Sequence, residues 1–170
     1  HYGLKEVAKY WEQVITINDW QQKRISRIIV DKLFGTISEK IITIYGFSFK
    51  PNTNDTRESP AISICKSLLE EGSFLSIYDP KVSNEQIHND LNNYNENWKK
   101  FEDLYEAAEG SDAIIILTEW DQFYQLDFAK LFKVMRSPCW IFDTRNIINT
   151  NIVKSFGFNV WKLGDGSFKD

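Results

Sequence analysis

The chain has 170 residues, of which 42% are hydrophobic and 26% charged, with a net charge of −4 and a pI near 5.3. This size and apolar content suit one packed globular domain and exclude wholesale disorder. The acidic balance excludes a general nucleic-acid binder, which needs concentrated positive charge; no apolar run reaches transmembrane length, and the start carries no cleavable signal pattern.

The chain opens directly in a helical pattern, as an excised fragment does, and His1 reads as the remnant of an expression tag. Leu4, Val7, Ala8, Trp11, Val14, Ile15, Ile25, Ile28, Ile29 and Leu33 recur at three- and four-residue steps, which predicts one long amphipathic helix. From Leu4 to Leu33 it would run on the order of 45 Å at 1.5 Å per residue, longer than one small domain covers. Ile17 and Trp20 lie off the main stripe and predict a second contact face.

After Gly35-Thr36-Ile37-Ser38 the pattern changes to alternating strands and helices. Strands are predicted at 41–45, 74–78, 113–117, 140–142 and 159–163, and helices near 60–71, 84–91, 104–109, 128–135 and 152–156. Continuous apolar strands alternating with helices imply a parallel sheet covered on both faces. The expected fold is therefore α/β, a Rossmann-like doubly wound parallel sheet over residues 39–170, preceded by a long connecting helix over residues 1–38. The Asn-rich run 92–100 reads as a surface loop insertion.

The chemistry-bearing residues fall where strands end. Phe49-Lys50-Pro51-Asn52-Thr53-Asn54-Asp55-Thr56-Arg57-Glu58-Ser59 lies between an apolar strand and a helix that Ser59 caps and Pro60 begins. Such a loop sits at the ligand crevice of an open α/β sheet, and Lys50 and Arg57 are donors suited to phosphate. Gly46-Phe47-Ser48-Phe49 stands where a dinucleotide fold carries G-x-G-x-x-G, but the glycine series is missing; phosphate binding here would fall to side chains. Asp79 suits either a ribose hydroxyl or the turn before Pro80, with the turn favoured. Glu119 and Trp120 follow a strand and either line the crevice or, for Trp120, cap the sheet end. Arg145 follows another strand, so Lys50, Arg57 and Arg145 are expected on one rim, unless Arg57 pairs with Asp55 or Glu58 and Arg145 with Asp143. Cys65 lies on an apolar helix face and Cys139 has no histidine nearby in sequence; neither reads as a nucleophile. Their separation forms no metal or redox spacing, so no metal is expected and a reducing, cytoplasmic setting fits.

Four motifs occur in order: Phe49-Lys50 with Asn54-Asp55-Thr56-Arg57-Glu58-Ser59, Tyr78-Asp79-Pro80-Lys81-Val82, Thr118-Glu119-Trp120-Asp121-Gln122-Phe123, and Ile141-Phe142-Asp143-Thr144-Arg145. Together they resemble the UDP-binding C-terminal domain of the UDP-glucose/GDP-mannose dehydrogenase family. Val7 to Ile15 resembles the end of the helix that joins the two halves of those enzymes. The resemblance implies that Lys50 contacts the UDP-sugar, that Arg145 binds the nucleotide part of the substrate, and that Arg57 reaches across a cleft toward NAD. It also implies a homo-oligomer built through the long helix. The nucleophilic cysteine and the glycine-rich NAD turn of the family lie in an N-terminal half, so no catalytic residue is expected in this segment. The implied reaction is oxidation of UDP-glucose to UDP-glucuronate with two NAD; relatives act on UDP-N-acetylmannosamine or GDP-mannose. A non-catalytic dimerisation or docking module is the competing reading.

Overall fold

The computed structural model describes residues 3–92, 94 and 97–164. Helix α1 (Lys5–Lys32) leads into β1 (Ile41–Tyr45), α2 (Pro60–Glu70), β2 (Phe74–Tyr78), α3 (Asn84–Asp90), β3 (Trp98–Phe101), α4 (Leu104–Ala107), β4 (Ala113–Ile116), α5 (Phe128–Val134), β5 (Trp140–Asp143), α6 (Thr150–Ser155) and β6 (Asn159–Lys162). A short 3-10 helix, Asp121–Gln125, lies between β4 and α5. All six strands are parallel and the sheet order is β3-β2-β1-β4-β5-β6. The order reverses between β1 and β4, the switch point at which open α/β sheets bind ligands. The expected doubly wound sheet behind a long helix is thus the observed fold.

The period-two alternation of the strands divides the core into two layers. Ile42, Ile44, Ala113, Ile115 and Phe142 face one side, with Ile25, Ile28 and Ile29 of α1 and Ile64, Cys65 and Leu68 of α2. Tyr45, Ile114, Ile116 and Ile141 face the other, with Ala107 of α4, Leu131 of α5 and Val153 of α6. Both faces of the central strands are covered, which is why they read as continuous apolar runs. Two polar side chains inside these layers are satisfied: Thr43 Oγ1 donates to the Ala107 carbonyl at 2.8 Å and Tyr45 Oη to that of Leu104 at 2.6 Å. Both bonds fasten α4 to β1, and burial raises the Tyr45 phenol well above its ordinary pKa. Short helices start on side-chain caps: Ser59, Ser83, Asp103, Asp127 and Asn149 each accept from a first-turn amide.

The structure corrects the reading of the Asn-rich run. Trp98, Lys99 and Lys100, taken as part of a surface loop, form the edge strand β3, in register with Leu75, Ser76 and Ile77. An edge strand of four residues with two lysines has little apolar periodicity, and lysine is a usual edge guard. Asn93, Asn95 and Glu96 of that run lie outside the described residues, as does His1.

Helix α1 changes character along its length. Ile25, Ile28 and Ile29 are buried in the core, whereas Leu4, Val7, Tyr10, Trp11, Ile15, Ile17 and Trp20 are exposed. Its first four turns therefore carry an apolar surface that the sheet domain does not cover.

Candidate functional site

The site is assembled at the carboxyl ends of β1, β4 and β5. Gly46 ends β1 with φ +89°, and a Cβ built there would meet Thr118 Cβ at 2.4 Å. Only glycine permits this approach of the β1 and β4 loops. Thr118 Oγ1 then donates to the Ser48 carbonyl at 2.7 Å, joining them.

Asp79, 1% exposed at the end of β2, ties three loops together. Its Oδ2 accepts from the amides of Phe47 (2.8 Å) and Ser48 (3.0 Å), from Ser48 Oγ (3.1 Å) and from Trp120 Nε1 (3.2 Å). Its Oδ1 accepts from the amides of Lys81 (2.9 Å) and Val82 (3.0 Å). Six donors saturate the carboxylate, so it makes the turn at Pro80 and holds the rim; no capacity remains for a ribose hydroxyl. Trp120 is buried with its indole on Asp79, the sheet-capping alternative. Asp143 repeats the device at the end of β5, accepting from the amides of Arg145, Ile147 and Ile148 at 2.8–3.0 Å.

The loop after Phe49 is braced from outside. Lys81 Nζ donates to the Asn52 carbonyl at 3.2 Å, and Gln86 Nε2 donates to the Asn54 carbonyl and to Thr56 Oγ1, both at 2.9 Å. Asn52 and Glu58 take positive φ, 65° and 59°, where the loop reverses. These turns send its two cations to different places.

Lys50 and Arg145 line one crevice of about 710 Å³, together with Phe49, Glu58, Glu119 and Thr144. That volume is in the range of small-molecule sites. Arg145 is held by its Nε, which donates to the Leu117 carbonyl at 2.6 Å and lies 3.3 Å from Glu119 Oε2. Its ion-pair partner is thus Glu119; Asp143 takes only its backbone amide. Lys50 is exposed and makes no ion pair among the described residues.

Arg57 is elsewhere. Its side chain is 88% exposed, and Asp55 grips it through Nε–Oδ1 (2.9 Å) and Nη2–Oδ2 (2.7 Å), while Asp55 Oδ1 also accepts the Arg57 amide at 3.0 Å. Hydrogen bonds from Arg57 hold the Asp55 carboxyl down at about 2. Two of the three expected cations therefore share the crevice, and the third is clamped outside it.

The far wall of the crevice is α1, through Ile15, Asn18, Gln22 and Ile25. Sequence reasoning treated this helix only as a packing element. The signal was present, since these residues fall at three- and four-residue steps on one helix face.

The thiols are not nucleophiles. Cys65 and Cys139 are buried, and burial pushes both thiol pKa values above the ordinary range. In the native protein, neither is expected to react appreciably with iodoacetamide at pH 8; stoichiometric modification without unfolding would contradict this. Among the described residues no cluster of three His, Cys, Asp or Glu side chains could hold a metal ion, and no helix is long and apolar enough to cross a membrane. The turn after β1 does not fit a dinucleotide pyrophosphate either, because the Phe47 and Ser48 amides are already spent on Asp79.

Residues 43–150 match the model of the UDP-binding domain of the UDP-glucose/GDP-mannose dehydrogenase family. UDP-glucose 6-dehydrogenase 4 of Arabidopsis thaliana is 45% identical over 95% of this chain and 37% of its own length. UDP-glucose 6-dehydrogenase of Drosophila melanogaster is 46% identical over 95% and 36% respectively. The chain thus spans little more than a third of these curated relatives. Among solved structures, a UDP-glucose dehydrogenase from Pyrobaculum islandicum superposes with a TM-score of 0.68 at 22% identity, covering 89% of this chain and 31% of that one. A UDP-D-ManNAc dehydrogenase from Pyrococcus horikoshii gives 0.65 at 27%, covering 86% and 31%.

Proposed function

The chain belongs to the UDP-glucose/GDP-mannose dehydrogenase family, as its UDP-binding domain, and on that premise we propose that it is the C-terminal, nucleotide-holding part of an NAD-dependent UDP-glucose 6-dehydrogenase. The observation that carries this reading is the crevice that brings Lys50 and Arg145 together at the switch point of the sheet. Two cations on separate strand-end loops, one a fork held through its Nε and one an exposed point charge, suit the phosphates of a UDP-sugar. Binding energy from the non-reacting UDP then positions the sugar carbon for oxidation to the uronate. The chemistry of two successive hydride transfers to NAD belongs to the rest of the enzyme, which supplies the nucleophilic cysteine and the main NAD site. Arg57, presented outward by Asp55, supplies a cation toward that cofactor across the cleft.

The exposed apolar face of α1 supports a homo-oligomer built through the helix, with residues 1–38 as the connecting and dimerising segment and 39–170 as the UDP-binding domain. Two reduced cysteines in the core agree with a cytoplasmic enzyme.

Lys50→Ala in the full-length enzyme is expected to raise the UDP-glucose KM about 10-fold, as loss of one charge-assisted contact does, with little change in KM for NAD. An unchanged KM for UDP-glucose would contradict the assignment of Lys50.

A further inference from the structure

Four buried side-chain polar atoms among the described residues lack a hydrogen-bond partner: Asp90 Oδ2, Trp98 Nε1, Trp140 Nε1 and Glu119 Oε2. Only Glu119 lines the crevice. Its Oε2 lies 3.3 Å from Arg145 Nε, but that N–H is already given to the Leu117 carbonyl at 2.6 Å. The carboxylate is therefore placed by attraction to the guanidinium without receiving a hydrogen bond from it. Oε2 is buried beside Arg145, while the side chain as a whole is 35% exposed and lines the crevice. The Arg145 Nη groups make no hydrogen bond among the described residues.

The charge of the crevice adds a second observation. Lys50 and Arg145 stand against Asp19, Glu58 and Glu119, two formal positive charges against three negative. A site built only to capture an anion gains nothing from carboxylates, which repel phosphate. An ionised carboxylate is an acceptor and nothing else, so this lining calls for a ligand that brings N–H or O–H donors as well as negative charge. Inorganic diphosphate, still partly protonated at neutral pH, offers only a phosphate O–H; a nucleoside adds ribose hydroxyls and, for uracil, a ring N–H.

We infer that Glu119 is a specificity-determining residue of the crevice, its carboxylate accepting a hydrogen bond from the nucleoside part of the ligand while Arg145 takes the phosphate. This rests on the nucleotide-binding reading above and deepens it. Glu119 then does two things with its two oxygens: Oε2 fixes the guanidinium from the side, and Oε1 tests whether the bound anion carries a nucleoside. The Glu119–Arg145 pair is thus a matched acceptor and donor edge.

The test is calorimetric titration of UDP, CDP, 2′-deoxy-UDP, 3′-deoxy-UDP and inorganic diphosphate into the full-length protein and its Glu119→Ala and Glu119→Gln variants. Glu119 is part-exposed, so both variants are expected to fold. In Glu119→Ala, UDP affinity is expected to fall about 10- to 100-fold, the worth of a hydrogen bond to a charged group, while diphosphate affinity holds or rises because a repelling charge is gone. Glu119→Gln keeps an acceptor oxygen and is expected to fall between. If the donor is the base N–H, wild-type discrimination of UDP over CDP collapses in Glu119→Ala. If it is a ribose hydroxyl, the penalty for one deoxy ligand collapses instead. A parallel loss of UDP and diphosphate would reduce Glu119 to a prop for Arg145 and overturn the inference, as would no change in either. A wild-type protein that binds none of the nucleotides would overturn the functional reading itself, an outcome distinct from the other two.

Discussion

Replacement of Asp79 by alanine is expected to lower the unfolding free energy by about 4 kcal/mol, among the larger losses a single substitution produces. The side chain accepts from four backbone amides, one hydroxyl and one indole, and it is 1% exposed. Alanine leaves these donors facing a cavity. Each buried donor without an acceptor costs about 1–3 kcal/mol, reduced here by whatever water enters. In a chain of this length such a loss moves Tm down by about 10–15 °C. Urea unfolding with an unchanged m-value is the measurement, and a loss below about 1 kcal/mol would show that the node does not hold the rim. Because the Phe47 and Ser48 amides lead directly into Lys50, nucleotide affinity is expected to fall with stability.

Arg145→Ala is expected to weaken UDP binding by about 100-fold, or roughly 2.7 kcal/mol. The Arg145 side chain is only 29% exposed, and its Nε is committed to the Leu117 carbonyl, so its orientation is set before a ligand arrives. Removal deletes the donors and also leaves Glu119 without its counter-charge, a carboxylate in a phosphate site. Lysine is a poor substitute because its three donors radiate from one nitrogen, so it cannot hold the carbonyl and a phosphate in the same fork geometry. Arg145→Lys is accordingly expected to remain about 10-fold weaker than the parent protein. Equal UDP affinity in all three proteins would remove Arg145 from the site.

The architecture was legible in the sequence wherever a strand carries a short apolar run. β1 and β2 show the predicted bounds, and β4, β5 and β6 differ by one residue at their ends, because short runs rich in β-branched and aromatic residues between turn signals have few other homes. β3 was hidden because it is only four residues long and two of them are lysines, so Trp98 and Phe101, which pack on opposite core layers, stand too far apart to show a period. Strand-end position correctly brought Lys50 and Arg145 to one rim, since topology alone decides which loops converge. Arg57 did not join them. Asp55, two residues back, captured it in preference to the adjacent Glu58, whose positive φ turns the chain there. Arg145 went the other way: its sequence neighbour Asp143 is consumed by three amides, so the guanidinium pairs with Glu119 from the neighbouring strand end. Which carboxylate is spent on backbone and which remains for a cation depends on loop geometry that no residue pattern displays. The same holds for the crevice wall on α1, whose face becomes meaningful only once the helix is docked beside α2.

The most direct measurement is calorimetric titration of UDP, GDP and NAD into the wild-type full-length protein at low and moderate salt. Saturable binding of UDP, tighter than GDP and weakened by salt as phosphate contacts to Lys50 and Arg145 require, is the predicted result. Equal affinity for UDP and GDP, or absence of UDP binding under conditions where the protein is folded, would contradict a uridine-nucleotide site at the carboxyl edge of this sheet.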